Sequence, residues 1–201
     1  MKFFSNTKLK TLLATLAFTS ASGIALAHTN MLEHGGLLEG SLHPFTGMDH
    51  LLAMLVLGLW AVQRGGKQLW VLPLVFLSGM TTGLLSGIQG WQIPMVETGV
   101  AASVFILGVL ISARSRLPQW TAMTLTVAFG FFHGQAHGSE IQPDSQMLMW
   151  SLGAIISAAL LHGTGMGTGY FLKQSLLRKY TTALGGMTAF AGLTLIASTV
   201  A

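Results

Sequence analysis

Two short stretches concentrate the side chains able to do chemistry. The first is His43-Pro-Phe-Thr-Gly-Met-Asp49-His50, and the second is His133-Gly-Gln-Ala-His137-Gly-Ser-Glu140. On a continuous helix, residues 43 and 50 would stand two turns apart, differ by about 20° in azimuth and share a face. Asp49 lies beside that face. It would either ligate a cation or accept the second N–H of a ligating imidazole, which fixes the ring. His133 and His137 form an i, i+4 pair, a recurring metal geometry on helices. Glu140 returns to the face of His133 if the helix runs past Gly138. The pair H-x-x-x-H has no glutamate in second place and does not match the zinc-protease motif. Glu97 opens another apolar run, after Pro94-Met-Val. No Lys or Arg stands at its level, and a bound cation would supply the missing positive charge. Imidazole and carboxylate without sulfur suit nickel, cobalt or zinc rather than copper(I). His162 lies deeper in a further apolar run and reads equally as an inner relay ligand or as a packing residue.

Composition says what kind of element positions these groups. Of 201 residues, 51% are apolar and 8% charged, and the mean hydropathy is +0.63. A soluble domain carries about 25% charged residues. Ten Lys and Arg and six Asp and Glu cannot solvate a globule of this size, so a cytosolic enzyme and a disordered chain are both disfavoured. The absence of cysteine excludes disulfides, thiolate metal sites, iron–sulfur clusters and covalent c-type haem. The net charge of +4 comes from basic residues scattered at the ends of apolar runs. That pattern reads as membrane topology and gives no basis for a nucleic-acid partner. No P-loop accompanies Gly65-Gly66-Lys67, so nothing points to ATP-driven work.

Residues 1–27 read as a cleavable signal peptide. Lys2, Lys8 and Lys10 precede a short apolar stretch, and Ala25-Leu26-Ala27 supplies an A-x-A site. Residues 28–43 then form a periplasmic lead containing His28, Glu33 and His34, and 44–201 a six-helix transmembrane domain. The predicted spans are 44–63, 68–89, 94–112, 117–138, 146–171 and 180–200, each near the ~20 residues that cross a bilayer. The expected fold class is therefore all-α, a polytopic bundle embedded in the lipid bilayer. Arg64, Lys67, Arg114, Arg116, Lys173, Arg178 and Lys179 fall on alternate connections. The positive-inside rule makes those connections cytoplasmic and both mature termini periplasmic. His50, Glu97 and His137 then share the outer third of the membrane. Gly79, Gly83 and Gly87 recur every fourth residue, as helices that approach closely require. Gly163, Gly165, Gly167 and Gly169 either pack in the same way or loosen their helix.

The chain resembles the HupE/UreJ family of nickel/cobalt permeases. The resemblance is closest at Leu42-His43-Pro44-Phe-Thr-Gly47-Met-Asp49-His50-Leu51-Leu52-Ala53-Met54 and at Gly58-Leu59-Trp60-Ala61. A second signature is Phe132 to Glu140, and a weaker third is Leu161-His162-Gly-Thr-Gly165. The resemblance implies a six-span secondary permease of the bacterial inner membrane that admits Ni2+ or Co2+ and serves maturation of hydrogenase or urease. It further implies hand-over of the ion to cytoplasmic nickel chaperones, with no catalytic cofactor. It assigns the metal to His43, Asp49, His50, His133, His137 and Glu140, with Glu97 added. On this reading the membrane potential drives entry by ~4.6 kcal/mol per divalent ion at 100 mV. Affinity weakens in acid, because imidazole must be neutral to ligate. An intramembrane His/Asp zinc hydrolase is the main alternative, since the same ligands would activate water. A b-type haem carrier and a passive structural subunit are weaker ones.

Overall fold

The computed structural model describes residues 36–141, 146–173 and 177–200. The expected signal peptide and the start of the lead, including His28 and His34, lie outside these residues. Among the described residues the chain is all-helical. Helix α1 (Leu37–Leu42) runs into a 3-10 turn (His43–Phe45). Then come α2 (Met48–Arg64), α3 (Gln68–Ile88), α4 (Val96–Ser112), α5 (Gln119–Glu140), α6 (Met147–Leu172) and α7 (Arg178–Val200). These last six occupy the six expected segments. Helix α3, helix α6 and Lys179–Thr199 within α7 are each long and apolar enough to cross a membrane. The bent pair Leu37–Phe45 and Met48–Arg64 meets the same standard only when taken together. Helix α4 is apolar but has 17 residues. In α5 the apolar run is diluted by His133, Gln135 and His137.

The first segment departs from expectation. His43 and His50 do not share the face of one helix. Proline has no N–H to give a helical ladder, and Pro44 sits inside the 3-10 turn. The chain then extends at Gly47 (φ −101°, ψ 121°), which caps α2. The two helical pieces meet at 84°. Part of the predicted lead is likewise built into the bundle, since α1 packs along α6. A Cβ on Gly40 would run into the Trp150 carbonyl, and one on Gly153 into that of Leu37. Ser157 Oγ donates to the Ser41 carbonyl (2.5 Å) across the same contact.

Glycine sets the remaining approaches. Helices α3 and α5 form the most extensive pair. Gly79 and Gly83 lie against the carbonyls of Val127 and Phe131, while Gly130, Gly134 and Gly138 lie against those of Phe76, Met80 and Leu84. Six glycines thus interdigitate, counting Gly87 beside Gly138, and the backbones come into contact. The row of glycines on α6 divides by face. Gly165 and Gly169 pack on Leu55 and Val62 of α2, whereas Gly163 and Gly167 face open space. Helix α4 pairs with α7, through Gly108, Gly185 and Gly192. The fully buried Trp60, Phe76, Met54 and Leu57 fill the centre. This frame holds the starts of α2 and α6 against the end of α5.

Candidate metal centre

The 3-10 turn, the start of α2 and the last turns of α5 bring four imidazoles together. Ring centroids are 4.8 Å apart for His43 and His137, 4.4 Å for His137 and His50, and 4.8 Å for His50 and His133. His133 and His137 are 0% and 1% exposed, and His50 is 9% exposed. Helix α5 does continue past Gly138, as close contact of Gly138 with α3 permits. It carries Glu140 to the site, where Glu140 Oε2 lies 3.3 Å from His43 Nε2. Donor atoms of His43, His137 and Glu140 all fall within 4.8 Å of one another. One cation with short ligand bonds would close that span with small side-chain shifts. The bend after His43, which breaks the expected helix, is what turns its ring toward α5.

The hydrogen bonds decide which nitrogens are free to ligate. His50 Nδ1 lies 2.8 Å from Asp49 Oδ1. A carboxylate oxygen only accepts, so Nδ1 carries the hydrogen and Nε2 holds the lone pair. His133 Nδ1 donates in the same way to the Phe129 carbonyl (2.8 Å). The Nε2 atoms of His50 and His133, and both ring nitrogens of His137, are buried with no partner among the described residues. Buried polar atoms are nearly always satisfied, and each neutral ring offers one lone pair that a cation would take. Asp49 thus accepts the Nδ1–H of His50 and fixes the orientation of that ring.

Gly47 is part of this arrangement. A Cβ there would stand 2.8 Å from Asp49 Oδ1 and 3.1 Å from His50 Nδ1. The glycine leaves room for the Asp49–His50 pair to fold back against the helix start. Asp49→Asn keeps the volume and removes the orienting charge. It is expected to weaken divalent-metal affinity about 10–100-fold while thermal unfolding stays near wild type. Calorimetric titration with Ni2+ checks this, and unchanged affinity would deny Asp49 that role.

Two of the expected residues stand apart. Glu97 is exposed on the first turn of α4, within electrostatic reach of Asp49, His50 and Glu140. It reinforces the negative field at the mouth and does not belong to the close group of donors. His162 is buried on α6 with both ring nitrogens unpartnered among the described residues. The Phe76 ring lies between it and the cluster, 5.0 Å from His162 and 5.3 Å from His133. His162 is therefore a separate inner position.

Three further residues shape the centre without having been anticipated. Trp150 covers it, with ring centroids 4.9 Å from His43 and 5.8 Å from His137. Phe76 closes its inner side. Gln135, one position from each flanking alanine or glycine of the second motif, is buried and donates Nε2 to the Trp91 carbonyl (2.6 Å). Its Oε1 accepts from Ser86 Oγ, tying α5 to α3 between the two histidines. A buried amide between paired histidines was the available signal for Gln135, because such a group must find partners.

Comparison with known proteins adds an independent finding. The family model described as HupE / UreJ protein matches residues 16–195. Protein HupE of Rhizobium leguminosarum bv. viciae is 36% identical over 189 residues, covering 94% of this chain and 97% of that protein. No solved structure matches the chain.

Proposed function

The chain belongs to the HupE/UreJ family, and from that membership and the converging imidazoles we propose that it is a permease for Ni2+ or Co2+. In this reading α2 to α7 are six spans across the bacterial inner membrane, following a cleaved signal peptide. The basic residues of alternate connections face the cytoplasm, and the histidine end and both termini face the periplasm. A hydrated cation enters at Glu97 and Glu140 and exchanges water for imidazole from the 3-10 turn, α2 and α5. It then passes inward by way of His162 and leaves to nickel-enzyme maturation. The membrane potential supplies the driving force.

The observation that carries the proposal is the set of bare, buried imidazole nitrogens contributed by separate helices. Neutral imidazole suits a borderline divalent ion. A cluster held between close-packed helices at one end of the bundle suits passage better than surface capture. The zinc-hydrolase alternative gains no support from the family match, and nothing in the donor geometry favours it over transport. Uptake of radiolabelled nickel and cobalt by cells making the wild type or His133→Ala tests the proposal. Accumulation is expected to fall to the level of cells lacking the protein. Equal uptake by both would overturn it.

A further inference from the structure

Helix α1 and the 3-10 turn after it carry an apolar face that the described residues leave open. Leu38, Leu42 and Phe45 are 69%, 55% and 53% exposed. Leu38 and Leu42 lie one turn apart on one side of α1, and Gly40 stands about 160° around from Leu38. Gly40 is seated on the Trp150 backbone of α6, so the leucines point away from the bundle. Glu39 is the single charge in α1 and is exposed. It stands about 160° around from Leu37, which is exposed as well. The short helix thus has one polar flank and a wide apolar surface. Single exposed apolar residues are ordinary, but adjoining ones mark a contact surface.

The bend says what covers it. Leu37–Phe45 crosses α2 at 84°. With α2 spanning the membrane, α1 runs along the bilayer surface at the histidine end. The apolar surface also continues from α1 onto its neighbour. On α6, Leu148, Leu152, Ile156 and Leu160 recur every fourth residue and are all exposed. In a spanning helix such a stripe faces acyl chains, and it begins at the level where α1 is packed.

We propose that α1 is an interfacial anchor, with Leu38, Leu42 and Phe45 set into the outer leaflet of the bilayer, and that lipid on this side holds His43 in the metal centre. Leucine and phenylalanine on one face with charge off it are what helices lying in a membrane interface use. Six residues are too few to form a stable helix alone, and packing on α6 supplies the support. His43 follows directly. Its neighbours Leu42 and Phe45 are exposed, while its own ring reaches His137 and Trp150. Lipid and α5 therefore grip the turn from opposite sides. This inference rests on the proposed spans, and its test separates the two.

The chain has no cysteine, so single nitroxide labels can be placed at Leu38→Cys, Leu42→Cys, Glu39→Cys and Phe190→Cys in the full chain in phosphatidylcholine nanodiscs. Power saturation with oxygen, which concentrates in lipid, and with chromium oxalate, which stays in water, gives the depth of each. The labels at Leu38 and Leu42 are expected about 5–10 Å into the bilayer, and the one at Glu39 nearer water. The label at Phe190, exposed midway along α7, is expected near the centre of the ~30 Å hydrocarbon core. Leu38 and Leu42 labels in water, with the Phe190 label in lipid, would overturn the anchor and leave the spans standing. A Phe190 label in water would overturn both. Leu38 and Leu42 labels shielded from both reagents would mean that protein covers the face, and would also overturn the anchor. Nickel titration in the same nanodiscs reads the consequence for His43. Leu38→Gln Leu42→Gln is expected to lose about tenfold in affinity, the low end for a group that supports a ligand from outside, while Leu38→Met Leu42→Met keeps it. Unchanged affinity in the glutamine variant, or equal loss in both, would overturn the hold on His43.

Discussion

His50→Ala is expected to lower Ni2+ affinity by at least about 100-fold, beyond the 10–100-fold that loss of an outer partner costs, and to bring uptake to background. His50 is the hinge of the cluster. Its ring is the neighbour of both His133 and His137, and its Nε2 is bare while Nδ1 is held by Asp49. Without it, the donors on α5 face no imidazole from α2. Because Nε2 has no protein partner among the described residues, its removal breaks no hydrogen bond other than the one to Asp49. His50→Gln keeps most of the volume and should unfold near the wild-type temperature while binding metal poorly. Isothermal titration with Ni2+, alongside unfolding curves for both variants, separates lost ligation from lost structure. Near-wild-type affinity in folded His50→Ala would remove this residue from the site.

The second large effect concerns the frame. Gly134→Leu is expected to cost about 3 kcal/mol or more, the upper end for overpacked sites, and to leave little folded protein. A Cβ at Gly134 meets the Met80 carbonyl and stands 2.7 Å from the Leu84 backbone nitrogen. Backbone atoms of a helix cannot step aside as a flexible side chain would, so α3 and α5 must separate. That separation also pulls Gln135 from Ser86 and displaces the neighbouring histidines. Gly163→Ala is the counterpart, since nothing lies within 4 Å of its added Cβ. Relieved of glycine's conformational entropy, that helix should gain about 0.5–1 kcal/mol. Equilibrium unfolding of the two variants in detergent measures both. A tolerated leucine at 134 would mean that the helices do not meet there in the native protein.

The reading of the sequence succeeded where one local rule decides the outcome. Long apolar runs bounded by charge located the helices, and small residues every fourth position marked α3 as a helix that packs closely, without naming α5 as its partner. The i, i+4 spacing of His133 and His137 needed only a helix, and that helix is present. It failed where the rule assumed continuity. The seven-residue spacing of His43 and His50 places them on one face only if nothing interrupts the helix. Pro44 and Gly47 do interrupt it, and a bend of 84° brings His43 to the site by another path. The role of Gly47 was hidden because its φ is one that any residue adopts. Only the approach of Asp49 and His50 in three dimensions shows why a side chain is unwelcome there. Trp150 and Phe76 were illegible for a statistical reason. Aromatic residues abound in apolar helices, and spacing does not tell a ring that covers a site from one that faces lipid.

The proposed permease requires imidazoles from separate helices to hold one divalent cation. X-ray absorption spectroscopy of the purified protein loaded with one equivalent of Ni2+ tests it most directly. The expected spectrum shows nitrogen and oxygen around the nickel without sulfur, with the outer-shell scattering of at least two imidazoles, and loses that scattering in His50→Ala. A spectrum of hydrated nickel with no imidazole contribution, or one unaltered by the substitution, would contradict it.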